Sequence, residues 1–449
     1  MPTPRIRTVE GSCWPCKERR VICDLKEPGC DKCAKIGRRC DYGKVRLRWT
    51  DCVASRGRLA GKKIPLYQAP VLQRNQDHHL LYFENELLPR FNLTNTVPQL
   101  DLKILACDPI LLQSVVAVAN AHQTYAYRSP DEQASLARIQ DRNNALRMFR
   151  KHLIAAHNDE VNNSLFIANV LLCILDGIIE PSTTESATHY HLVGGKAILK
   201  HWGGVKGIFE SKRELPILML SIFGTMDLTH AILIGDEPYF EACSWAELGG
   251  VEAWWGTVDS NDDFLETMAI LSQLGTLGHG VRHFKNTVPI DNLFSVQMAL
   301  DHQATRQLER DTKDPDILAW DAFCSVYRFT ASVYLYRALS GLEVGHPLVQ
   351  KAVDSCMEVV AGTQLTLKLH HCILFPLLVV GTHCLDEEQR AVIRRSIVHT
   401  SSYLSFESLR SLTSYLERRW AKLDDENSGC LQMAWWEYFD EIAAASCLF

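Results

Sequence analysis

The sequence predicts a mostly all-α chain, with a small N-terminal two-zinc, six-cysteine cluster followed by a large all-helical domain. Three observations predict it. Six of the sixteen cysteines fall between Cys13 and Cys40. Charge is divided unevenly: residues 1–63 hold 17 Lys and Arg against 7 Asp and Glu, a net +10, while residues 64–449 carry −16. From about residue 76 apolar residues recur at helical spacing to the end, and alternating patterns bounded by turn signals are scarce. A basic arm on an acidic body points to a polyanion as the partner of the arm.

Residues 1–12 read as a mildly basic arm with no apolar stretch of the secretory kind, so a reducing compartment is expected. Clustered cysteines in such a compartment favour metal over disulfides. Their spacing is Cys13-x2-Cys16-x6-Cys23-x6-Cys30-x2-Cys33-x6-Cys40, two similar halves. Zinc prefers four tetrahedral ligands, and thiolate is among its usual ones. One zinc would leave two of the six thiols unused. Two zincs need eight bonds, so two sulfurs must bridge, and the first cysteine of each half, Cys13 and Cys30, is the natural choice. The cluster then carries −2, which the flanking basic residues outweigh. Lys17, Arg19 and Arg20 follow Cys16, and Arg38 and Arg39 precede Cys40. Each block is about one helical turn hung from a metal ligand, a turn that presents cations to phosphates and its tip to base edges. Metal replaces the apolar core that 28 residues cannot build.

The segment resembles the DNA-binding domain of fungal binuclear zinc cluster transcription factors. All six cysteines sit at that family's spacing, and Pro28 matches its loop proline. The resemblance implies two zinc ions, a first helix in the major groove and a CGG-type triplet as the site. Ile22 departs from the family's usual Lys or Arg before the third cysteine. The body is similar to the family's helical regulatory domain at Tyr190–Ala197, Met226–Leu228, Tyr327–Leu335 and Phe375–Gly381, with Arg390 following.

Residues 41–75 read as a basic linker, and 76–449 as the regulatory domain of roughly a dozen helices. Ser129-Pro130-Asp131-Glu132 has the form of a helix start, continued by Leu136, Ile139, Leu146, Phe149 and Leu153. Asp314-Pro315-Asp316 starts another, through Ala319, Phe323, Tyr327, Tyr334 and Leu335 to a stop at Gly341. Leu215 to Gly235 is long enough to span a membrane, but Pro216, Asp227 and His230 favour a buried helix, so no membrane segment is expected. The ten scattered cysteines, Cys107, Cys173, Cys324 and Cys372 among them, read as packing residues. His370-His371-Cys372 reads as surface or core histidine, since adjacent helical residues face different ways. Gly203-Gly204-Val205-Lys206-Gly207 reads as a turn. Asp424-Asp425-Glu426 with Trp435, Trp436, Tyr438 and Phe439 fits either an acidic-aromatic activation segment or a packed C-terminal helix.

Leu80, Leu81, Leu87 and Leu88 give one heptad step before Pro89, too little for a coiled coil. A fragment of residues 1–90 is therefore expected to be monomeric, and any homodimer to form through the helical body. The sequence has no Gly-x-Ser-x-Gly, His-Glu-x-x-His, P-loop or dinucleotide fingerprint, so no enzyme is expected. The expected function is sequence-specific transcription factor of the RNA polymerase II type, in the nucleus. Its partners are CGG-containing double-stranded DNA and the transcription machinery. A co-regulator that keeps the cluster without binding DNA is the alternative.

Overall fold

The computed structural model describes residues 11–42, 77–93, 105, 107–127, 132–155, 163–181, 187–201, 203–210, 214–310, 312–425 and 433–447. Nearly all of the basic arm and of the 41–75 linker, the Ser129-Pro130-Asp131 helix start and Glu426 lie outside them. The chain divides into two compact units, Met1–Pro70 and Val71–Phe449.

Helices begin where an acceptor meets the free amides of a first turn. Asp108 accepts from Ile110 and Leu111 at the start of Pro109–Ala126. Asp386 and Gln389 form a reciprocal capping box at the start of Glu387–Leu404. Asp314 accepts from the Asp316 amide at 2.9 Å, and Pro315 fills the first position of Pro315–Tyr334. Ala319, Phe323, Tyr327 and Tyr334 are buried on this helix and Leu335 just past its end, as their spacing predicts. It passes into a π-helical turn, Leu335–Leu339, and the chain turns away at Gly341 with φ 66°. Among the described residues the second unit contains twelve helices of eleven or more residues and no strand, only an isolated bridge between Ala253 and Gly256.

Helix Glu214–Ile234 is the centre of the second unit. It is long and apolar enough to cross a membrane, but 94% of its apolar window is buried inside the domain. Phe223 meets Phe166 edge-on at 5.4 Å, and the Trp435 indole donates to the Ile232 carbonyl at 3.0 Å. Its buried carboxylate is answered. Asp227 pairs with Lys196 at 2.7 Å and accepts from the Tyr239 amide at 2.7 Å. Lys196 lies in helix Ala187–His201, so two of the sequence elements singled out above, Tyr190–Ala197 and Met226–Leu228, meet across this pair. Gly195 lets the two helices approach, because a Cβ there would lie 2.4 Å from the Phe223 ring.

Other expectations are corrected or resolved. Helix Glu132–Ala155 forms, but Leu136, Ile139 and Leu153 on it are exposed, and Leu146 and Phe149 are only half-buried. Its inward face is mixed: Ala145 is buried and Leu146 and Phe149 pack against the core, beside two arginines. Arg138 reaches Glu180 at 3.1 Å and Arg142 reaches the buried Asp176 at 2.8 Å. Leu80, Leu87 and Leu88 are buried in the core of the second unit and Leu81 is exposed, so these leucines pack internally rather than along a partner helix. Residues 77–90 therefore belong with the body, and the boundary of a separable N-terminal piece falls near Pro70. Cys173, Cys324 and Cys372 are buried, whereas Cys107 is exposed beside the Asp108 cap. His371 stacks on Tyr403 at 4.4 Å in the interior. Gly203 and Gly204 turn the chain with φ near 80° before helix Val205–Glu210. The C-terminal aromatics form the packed helix Trp435–Ala445, with Trp435, Tyr438 and Phe439 buried, and Asp424 makes a two-bond pair with Arg390.

Candidate metal centre and nucleic-acid interface

The two halves of the cysteine segment fold alike. Cys13 and Cys30 are extended N-cap residues, each followed by a short helix, Trp14–Arg19 and Asp31–Ala34. The third helical residue is again a cysteine, Cys16 and Cys33. Both helices close the same way. The Val21 amide donates to the Cys16 carbonyl and the Arg38 amide to the Cys33 carbonyl, each at 3.1 Å. The residue before each donor is left-handed, Arg20 at φ 58° and Gly37 at φ 64°. Sequence repetition thus becomes a structural repeat that aims two Cys-x2-Cys pairs at one another.

The six sulfurs converge in two overlapping sets. Cys13, Cys16, Cys23 and Cys30 have all their sulfurs within 4.8 Å of one another, and so do Cys13, Cys30, Cys33 and Cys40. Cys13 and Cys30 belong to both sets, and their sulfurs are 3.6 Å apart. Neighbouring separations are 3.7 Å for Cys13–Cys33, 3.6 Å for Cys16–Cys30 and 3.8 Å for Cys13–Cys23. A tetrahedral zinc with bonds of ~2.3 Å holds its sulfurs ~3.8 Å apart, whereas a disulfide needs about 2 Å. Six thiols at this spacing fit two zincs and no disulfide. Burial pushes the Cys30 thiol up to about 12 and the Cys13 thiol higher still, so metal binding there must displace protons.

The basic residues divide into two groups that the sequence did not separate. Arg19 folds back on the cluster. Its Nη2 donates to the Cys16 and Cys33 sulfurs at 3.6 Å each and to the Lys32 carbonyl at 3.3 Å, tying one half to the other. Lys17 is exposed, with its ammonium 5.0 Å from the Trp14 ring. Arg38 is exposed and loosely paired with Glu18 at 3.7 Å. Arg20 and Arg39 are exposed and have no side-chain partner among the described residues. Ile22 is exposed at 61%. Two further supports hold the cluster and carry no signal in the cysteine spacing. The Tyr42 hydroxyl donates to the Lys26 carbonyl at 2.9 Å and lies 3.6 Å from the Cys23 sulfur. The Trp14 amide donates to the Asp41 carbonyl at 2.8 Å, closing the segment on itself. No spacing rule marks either residue.

Residues 77–449 match the family described as fungal specific transcription factor domain, and residues 11–49 match the fungal Zn(2)-Cys(6) binuclear cluster domain. Over 46 residues the chain is 41% identical to Arginine metabolism regulation protein II of Saccharomyces cerevisiae (strain ATCC 204508 / S288c). That stretch is 10% of this chain and 5% of the yeast protein. No solved structure matches. The cluster domain binds two zinc ions, and the chain belongs to the fungal-specific transcription factor family.

Proposed function

We propose that this transcription factor reads CGG-type triplets in the major groove of double-stranded DNA and acts in the nucleus on promoters of RNA polymerase II. The observation that carries the reading is Arg20. It stands exposed at the tip of the first cluster helix, with no side-chain partner among the described residues, on a turn that Cys16 and Cys23 bracket. A guanidinium so placed is available to bond guanine O6 and N7 together, the commonest specific contact in the major groove. We assign all six cysteines as zinc ligands, with Cys13 and Cys30 bridging. Lys17, Arg38 and Arg39 are assigned to phosphates. Arg19, already spent on two sulfurs, supports the cluster first and the DNA second. The organisation follows as a basic arm at 1–12, the cluster at 13–40, the linker at 41–75 and the regulatory body at 76–449. We assign the body to regulation rather than catalysis, with the transcription machinery as partner and any homodimer formed through it.

Competition binding tests this. The full chain is expected to prefer a CGG-containing duplex over duplexes with that triplet scrambled, and to lose affinity steeply with salt. Equal affinity for all duplexes would leave a non-specific binder. No affinity for any of them would leave the co-regulator.

A further inference from the structure

A second convergence of ligand-type side chains lies in the helical body, unconnected with DNA reading. His279 and His283 are one turn apart near the end of helix Asp263–Phe284, with ring centroids 4.6 Å apart. Asp236 follows the end of helix Glu214–Ile234, and its carboxylate is 3.6 Å from His283 Nε2. The ligand atoms of all three lie within 4.8 Å of one another.

The backbone fixes this meeting. Gly235 takes φ 68° and the Asp236 amide donates to the Ala231 carbonyl at 3.0 Å, closing the helix. A Cβ at Gly235 would lie 2.7 Å from Arg282 Cδ, so the turn is pressed against the helix that carries the histidines. The neighbouring cation, Arg282, is turned towards Asp440 at 3.4 Å rather than towards Asp236. His279 Nδ1 is 3.3 Å from the Gly235 carbonyl. A carbonyl only accepts, so Nδ1 carries the proton and Nε2 keeps its lone pair. A carbonyl behind a histidine is the usual support of a metal ligand.

We propose that Asp236, His279 and His283 form a third metal site, separate from the two cluster zincs. It would take zinc or another divalent ion that favours imidazole and carboxylate together. Three protein ligands leave the fourth position for water or an outside ligand. The ion ties the end of the central helix to the last turn of Asp263–Phe284, so its binding stabilises the body.

Cobalt(II) titrated into the zinc-loaded full chain is the test. The expected result is one further cobalt per chain, d–d absorption without sulfur-to-cobalt charge transfer, and a raised Tm. His283 is exposed, so His283→Ala should keep the fold and two zincs while weakening cobalt binding at least tenfold. Asp236→Asn should weaken it as well. Absence of saturable uptake, uptake with sulfur charge transfer, or binding that His283→Ala leaves unchanged would each overturn the proposal.

Discussion

At Arg20 the backbone is left-handed, a conformation that costs a side-chain-bearing residue about 1 kcal/mol and glycine almost nothing. The second half places Gly37 at the equivalent turn. This permits a clean separation of backbone from side chain. Arg20→Gly should keep both zincs and ease the turn, yet flatten the preference among triplets by roughly 1–3 kcal/mol. Binding assays over triplet variants check it, and retained preference would move the base contact elsewhere. Lys17→Ala should instead weaken all sequences alike and reduce the salt slope by about 1. Arg19→Ala behaves differently again. It strips the donor from the Cys16 and Cys33 sulfurs, and loss of such outer support costs roughly 10–100-fold in metal affinity. Competition with a zinc chelator should show the variant giving up metal first. The convergence of the six cysteines was legible in the spacing, because zinc prefers four ligands and six thiols serving two ions must share. Arg19's turn inward was not legible, since it depends on two halves meeting.

Elements show the same division. The start and stop of Pro315–Tyr334 could be read from Asp314, Pro315 and Gly341, because capping is local chemistry. The orientation of Glu132–Ala155 could not. Its apolar spacing is helical, but the partners it turns towards, Glu180 and Asp176, lie more than twenty residues away in sequence and attract its arginines. The pair between Lys196 and Asp227 joins two elements whose contact no local pattern in the sequence shows. Asp227 is buried, so removing its cation leaves an uncompensated interior charge. Lys196→Met is expected to destabilise the body by about 3–5 kcal/mol in denaturant titrations at neutral pH. Gly195→Ala should cost roughly 1–3 kcal/mol, as its methyl would overlap the Phe223 ring.

Across the whole molecule, burial leaves several histidines neutral. It pulls His122, His230 and His371 down to about 4 and His383 to about 3. His122 shows how the neutral form is held, with the Leu404 carbonyl 2.8 Å from Nε2 and the Tyr82 hydroxyl 2.8 Å from Nδ1. These values lie below the unfolded histidine value of about 6.5. Between the two the unfolded chain binds more protons, so stability falls as pH falls. The contribution is fully present above about 6.5 and is lost progressively towards 4, at up to about 1.4 kcal/mol per pH unit for each histidine. Denaturant midpoints should therefore drop between pH 7 and pH 5, and a flat profile would contradict the burial. The division into a basic arm and an acidic helical body was legible from charge and periodicity alone. His230 was expected in a buried helix and His371 was left open between surface and core, but the burial of His122 and His383 was not legible, because it is a property of the assembled core.

On the reading proposed above, two zincs held by six cysteines make this chain a reader of DNA sequence. Its most direct test follows zinc content and duplex preference together while a chelator is titrated into the full chain. Two zincs should leave, and preference for the CGG duplex should disappear with them. Preference that survives the loss of both metals, or a folded chain holding one zinc from the outset, would contradict it.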